Sequence, residues 1–293
     1  MNNLNKFYGI FPALLTPFDS NDNINFKALE NLIEYNLNKG VNGFYVGGST
    51  AEAFMLSDNE RLSLYKKVKE IAGDRCTLIA HIGSISTKQT IEFGKCAEKL
   101  GYDAVSAVAP FYYKFTFDEI KNHYFKCADN VGLPMIIYNF PSFSGVNLTA
   151  ENLKEFLEDE RFIGVKHTSN DFFALEQFKS AYPDKVFYNG YDEMFLAGLS
   201  MGADGGIGST YNFMAEKFIK MYNLFNEGKT GEAYKIQKDA NKIITALIKV
   251  GVFQGEKAVL DMLGLDFGNS RPPFNPITKE QYKFLEETVL PLL

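Results

Sequence analysis

The sequence predicts an α/β fold, a (β/α)8 TIM barrel with a C-terminal helical extension. Three observations carry that prediction. Short apolar runs recur along the chain, beginning near Ile10, Gly43, Thr77, Ala104, Pro134, Phe162, Val186 and Ala203. Near-continuous apolar runs of this length suit parallel strands covered on both faces, and none approaches the roughly 20 residues of a membrane span. Stretches with helical periodicity separate the runs, and such alternation repeated eight times is the pattern of this barrel. The runner-up, a doubly wound open sheet, is disfavoured because no GxGxxG follows the first run.

The first helix, predicted over 26–39, puts Leu29, Leu32, Ile33, Asn36 and Leu37 on one face. Ser57 and Glu60 have capping-box spacing, which starts a second helix. Further helices are expected over 86–100, 116–128, 149–157, 172–181 and 192–200, with Gly40 and Gly101 as C-terminal stops. The barrel occupies 1–210. The remainder, 211–293, reads as helices over 214–227, 231–249 and 255–263, a Pro-rich 271–276 and a last helix from Thr278. These are expected to complete the barrel and pack on it.

Bulk properties remove whole classes of function. With 30 Lys+Arg against 36 Asp+Glu the net charge is −6, without the basic excess of a nucleic-acid binder. The three cysteines are an odd number and form no CxxC, so a reducing cytoplasm is expected and a disulfide framework is not. The three histidines form no HxxxH or HxH pair, so neither a metal nor a cofactor is expected. Residues 1–7 contain no apolar core of a secretory signal, and no membrane partner is expected.

Chemistry in such barrels sits at the carboxyl ends of the strands. Lys166 closes the apolar sixth strand after Ile163 and Val165. A lysine buried there without a partner tends to lose its proton, and the neutral amine attacks carbonyl carbons. The alternative is a rim lysine reaching solvent. Tyr138 ends the preceding strand, and neighbouring strands lie about 4.8 Å apart, so the two side chains can meet. A phenol there can shuttle protons; otherwise it is a core tyrosine. Gly47-Gly48-Ser49-Thr50 resembles an anion cradle for a carboxylate or phosphate, against the plainer reading of a βα turn. No lysine follows at P-loop spacing. Asp192 and Glu193 open a helix, which either suits its dipole or supplies acceptors for sugar hydroxyls. Glu52 reads as structural, a carboxylate for backbone N–H groups. His81 and His167 read as satisfied core or rim residues.

Together the segments TPF (16–18), GGSTAE (47–52), PFYY (110–113), YNFPSFSG (138–145), GVKHTS (164–169), YNGYDE (188–193) and GGIGSTYN (205–212) resemble the N-acetylneuraminate lyase and dihydrodipicolinate synthase family of pyruvate aldolases. They span nearly the whole barrel in the family's order. YNGYDE and GGIGSTYN resemble the lyase branch. The synthase branch generally has an arginine shortly after the YN-P tyrosine, and 140–145 contains none. Ala51 departs from the usual GGSTGE glycine, for which a small backbone adjustment is expected.

The resemblance implies that Lys166 forms an imine with a 2-keto acid and that Tyr138 shuttles protons. It implies that Ser49 and Thr50 hold the carboxylate, and that Tyr112 reaches a neighbouring subunit's site to link Tyr138 and Ser49. Thr168, Gly190, Asp192, Glu193 and Ser209 resemble the contacts to a hydroxylated tail, with Phe253 at the far end of the pocket. The implied reaction cleaves N-acetylneuraminate to pyruvate and N-acetylmannosamine without a metal, in a homotetramer. The rivals are another aldolase of the family, either dihydrodipicolinate synthase or a 2-keto-3-deoxy sugar acid aldolase, and a non-catalytic sensor barrel.

Overall fold

The computed structural model describes residues 4–146 and 148–293. Strands and helices alternate as β1 (Gly9–Pro12), α1 (Phe26–Lys39), β2 (Gly43–Val46), α2 (Asp58–Ala72), β3 (Thr77–His81), α3 (Thr87–Leu100), β4 (Ala104–Val108) and α4 (Phe117–Asn130). They continue through β5 (Met135–Asn139), α5 (Pro141–Ser144), α6 (Ala150–Leu157), β6 (Phe162–His167), α7 (Phe172–Ala181), β7 (Val186–Asn189), α8 (Phe195–Ser200) and β8 (Gly205–Gly208). The tail contributes α9 (Tyr211–Asn226), α10 (Thr230–Val250), α11 (Val252–Met262) and α12 (Lys279–Thr288).

The eight strands form one parallel sheet in the order β1-β8-β7-β6-β5-β4-β3-β2. The ring closes where Ala13 pairs with Tyr45 and the Leu14 N–H donates to the Tyr45 carbonyl at 2.9 Å. This is the (β/α)8 barrel the apolar runs predict, and every residue of β3 to β6 is buried. Two apolar layers hold it. Phe11, Tyr45, Ile79, Ile136, Tyr188 and Ile207 pack inside the barrel, and a larger layer lies between strands and helices. Phe7, beneath β1, joins the inner layer, and its carbonyl accepts from the Tyr188 hydroxyl at 2.5 Å.

Local signals set the helix ends. Asn25 caps α1 by accepting from the Ala28 N–H, and Gly40 ends it in the left-handed region at φ 85°. The Ser57–Glu60 capping box forms as read, with both Ser57 donors on the Glu60 carboxylate. Segment 192–200 divides into a 3-10 turn, Asp192–Met194, and α8. The tail departs most from expectation. α9 starts at Tyr211 and breaks at Met214 (φ −133°, ψ 36°), so regular periodicity begins only beyond the break. α11 starts at Val252 rather than 255, because one residue, Gly251 at φ 103°, separates it from α10 and no side chain caps the start. α9 packs against β1 and α1, and α10 against α9 and α11. Among the described residues no helix is long and apolar enough to cross a membrane.

Candidate active site

Strand register brings the central pair together. Tyr138 and Lys166 are partners across β5 and β6, at the carboxyl end of the barrel. The Lys166 Nζ lies 4.2 Å from the Tyr138 ring centroid and 4.4 Å from that of Tyr45. Lys166 is only 5% exposed and has no ion-pair partner among the described residues. Burial lowers its pKa to about 7, against the opposing pull of Asp192. The rim-lysine alternative is thereby excluded, and a large share of the amine is neutral near pH 7.

Both residues open into a cavity of about 320 Å³. Of the residues singled out from sequence, Ser49, Thr50, Tyr138, Lys166, Thr168, Gly190, Asp192, Glu193, Ser209 and Phe253 line it. Tyr112 does not. It is 83% exposed on backbone with φ 78°. Burial pushes the Tyr138 phenol well above its ordinary range, against the influence of the flanking Thr168 and Ser49 hydroxyls. Ser49 Oγ and Thr168 Oγ1 are buried without a full hydrogen bond among the described residues, so both keep bonding capacity for a ligand.

The Gly47–Thr50 loop is held from behind. Gly47 has φ 75°, and its carbonyl accepts from His81 Nδ1 at 3.1 Å. His81 Nε2 in turn accepts from the Val108 N–H at 3.3 Å, so the ring is a satisfied core residue. Arg61, buried on α2, donates to the Gly83 carbonyl at 3.1 Å and to the His81 carbonyl at 2.5 Å. Ala51 avoids the left-handed region, which Glu52 takes at φ 56°. Alanine therefore fits without strain. Glu52 is structural, as read. It accepts from the Arg271 N–H at 2.8 Å and pairs with Lys257 at 2.6 Å, both side chains essentially inaccessible.

The opposite wall is acidic. Asp192 is 6% exposed, and its Oδ2 accepts from the Thr210 N–H at 2.9 Å and the Thr210 hydroxyl at 2.6 Å. Burial raises its pKa to about 6 despite those donors. Two close approaches need glycine: a Cβ on Gly190 would fall 1.9 Å from Thr168 Oγ1, and one on Gly208 would fall 1.9 Å from Asp192 Oδ1. Gln237 of α10 donates to the Asp192 carbonyl at 3.1 Å and so anchors the turn from the tail. The Ser209 hydroxyl donates to Glu256 at 2.6 Å. His167 donates to the Asp171 carbonyl through Nε2 at 3.0 Å and accepts from the Asn139 amide through Nδ1 at 3.0 Å, again a satisfied residue.

Sequence reasoning missed Phe140, Tyr191 and Thr210, and the apolar wall from the tail, Ile244, Ile248 and Val252. Ile244 and Ile248 have helical spacing but no chemistry to mark them. Two adjacent ionisable residues, Glu256 and Lys257, inside the apolar run of α11 were the signal available there. Among the described residues no three His, Cys, Asp or Glu side chains gather where they could hold a metal ion.

The cavity therefore pairs a partly neutral lysine with a phenol at one end, and carboxylates with hydroxyls at the other. A sequence profile, that of the dihydrodipicolinate synthetase family, matches residues 6–290. An N-acetylneuraminate lyase of Rhizobium meliloti (strain 1021) is 44% identical over 288 residues, 98% of this chain and 96% of the relative. The structure of N-acetylneuraminate lyase from Fusobacterium nucleatum complexed with pyruvate matches with TM-score 0.94 at 39% identity, covering 99% of this chain and 98% of that one. CdNal from Clostridium difficile, in complex with mannosamine, matches with TM-score 0.96 at 38% identity, covering 98% and 99%.

Proposed function

The chain belongs to the dihydrodipicolinate synthetase family, and from that premise we propose that it is a Schiff-base aldolase cleaving N-acetylneuraminate reversibly to N-acetylmannosamine and pyruvate. The observation that carries the reading is Lys166, buried beside Tyr138 with its pKa lowered to about 7.

In this reading the neutral Lys166 amine adds to the ketone carbon of the open-chain sugar acid. Loss of water leaves a protonated imine. The imine draws in the electrons of the bond between the third and fourth carbons as the hydroxyl on the fourth carbon gives up its proton. N-acetylmannosamine leaves, and the enamine, once protonated and hydrolysed, releases pyruvate. Tyr138 holds its proton at neutral pH between two hydroxyls, so it acts as a relay, accepting a proton on one side as it passes its own to the other. Ser49 and Thr50 take the carboxylate. Thr168, Gly190, Asp192, Glu193 and Ser209 receive the hydroxylated tail.

Within the family the rivals are dihydrodipicolinate synthase and a 2-keto-3-deoxy sugar acid aldolase. The absence of an arginine in 140–145 and the acidic wall opposite Lys166 favour the lyase. The same reading has the protein working in the cytoplasm as a homotetramer, with Tyr112 entering a neighbouring subunit's site. Support for that comes from Tyr112 itself, an aromatic ring exposed on left-handed backbone and outside its own cavity.

The test is pyruvate release from N-acetylneuraminate, followed with lactate dehydrogenase. Release by the native chain is expected. Absence of release, with release from another 2-keto-3-deoxy acid, would move the function to the rival aldolases.

A further inference from the structure

Glu256 lies on α11, fully buried, one helical turn after the cavity-lining Phe253. Its Oε1 accepts the Ser209 hydroxyl proton at 2.6 Å, and its Oε2 is buried with no hydrogen-bond partner among the described residues. Among those residues no lysine or arginine pairs with it. The neighbouring Lys257 is committed to Glu52. Burial raises the Glu256 pKa to about 8, with the nearby Asp192 charge adding to it and the Ser209 hydrogen bond, which favours the accepting carboxylate, opposing it. A carboxyl buried with one bond and no cation is a costly way to fill a core, and an apolar side chain would avoid that cost. What the carboxyl does hold is a hydroxyl that faces the cavity.

We propose that Glu256 is a positioning residue that fixes the direction of the Ser209 hydroxyl and so makes Ser209 a hydrogen-bond acceptor toward the substrate's hydroxylated tail. A serine hydroxyl has one proton and two lone pairs. With the proton committed to Glu256, only lone pairs remain for the cavity. The substrate must then bring a donor, a hydroxyl or an amide N–H, to that point. A tail in which that group is removed or methylated leaves a lone pair facing a carbon or an ether oxygen. Sites built to bond a substrate hydroxyl reject analogues lacking it strongly, because the protein group is left unpaired. The inference rests on the aldolase reading and adds to it a chemical rule for one contact.

The test is steady-state pyruvate release from N-acetylneuraminate and from analogues each lacking one tail hydroxyl, with Glu256→Leu, Glu256→Gln, Ser209→Ala and the double variant Ser209→Ala/Glu256→Leu. Glu256→Leu is expected to raise KM about tenfold while kcat stays within about threefold. Ser209→Ala should do the same, the double variant should be no worse than either, and both single variants should lose discrimination at the same hydroxyl. Glu256→Gln, whose carbonyl accepts the same bond, should keep KM within about threefold of native. Glu256→Met, equally long and without a polar acceptor, stands in if Glu256→Leu does not fold. An unchanged KM in the apolar variants, multiplying losses in the double variant, or loss of discrimination at different hydroxyls overturns the proposal. Borohydride trapping of pyruvate on the native chain separates the two readings. Without trapping, the aldolase reading and this inference both fall; with trapping and an unchanged KM in Glu256→Leu, this inference alone falls.

Discussion

Tyr138 and Lys166 stand side by side as register partners at the carboxyl ends of β5 and β6, the amine 4.2 Å from the ring centroid. The ring covers the amine and helps keep water from it. Desolvation is the leading cause of its lowered pKa. The shifts of the amine and the phenol thus share one cause, their burial in the barrel mouth.

The pH dependence follows from that burial. As Lys166 loses its proton through about pH 7, kcat/KM for N-acetylneuraminate should rise. The Asp192 charge opposes the shift, so Asp192→Asn should move the rise to lower pH. A rise that ignores Asp192→Asn would assign the titration to another group.

Stability carries the same signature. Below about 7 both folded and unfolded Lys166 are protonated, and the folded state bears the whole cost of the buried charge. Between about 7 and 10.5 the unfolded chain holds a proton that the folded one lacks, so stability gains as pH rises. Lys166→Met should therefore raise Tm more at pH 6 than at pH 9. Melting curves at the two pH values check this, and equal gains would contradict it.

Asp192 and Glu193 should separate. Glu193→Ala is expected to raise KM for the sugar acid about tenfold and leave Tm within a degree or two. Asp192→Ala should raise KM and also destabilise by about 1–3 kcal/mol, because it strands the two buried Thr210 donors. Neither should much weaken pyruvate trapping. Equal weakening of pyruvate and sugar acid would count against placing them at the tail.

Much of this site was legible in the sequence. The bounds of α1, the Ser57 capping box and the meeting of Tyr138 with Lys166 all follow from local rules, because successive strand ends of a parallel barrel must converge on one mouth. Phe253 was also expected in the pocket, and it lines it. The contact of Ser209 with Glu256 could not be read, because it depends on how α11 docks on the barrel. Ile244 and Ile248 were invisible for a different reason: apolar side chains look alike in a core and in a pocket wall.

The Glu52–Lys257 pair ties the cradle loop to the tail. Lys257→Met leaves a buried carboxylate unpaired and should cost about 3–5 kcal/mol, read by urea denaturation. A loss below about 1 kcal/mol would show that the loop is held by other contacts.

The central claim is that Lys166 forms the covalent bond to pyruvate. The most direct measurement is borohydride reduction of the protein with pyruvate, followed by peptide mapping by mass spectrometry beside Lys166→Ala. The account predicts one reduced pyruvate adduct, on Lys166, absent from the variant, with turnover lowered by on the order of 10⁴-fold or more. An adduct on a different lysine, or substantial pyruvate release by Lys166→Ala, would contradict it.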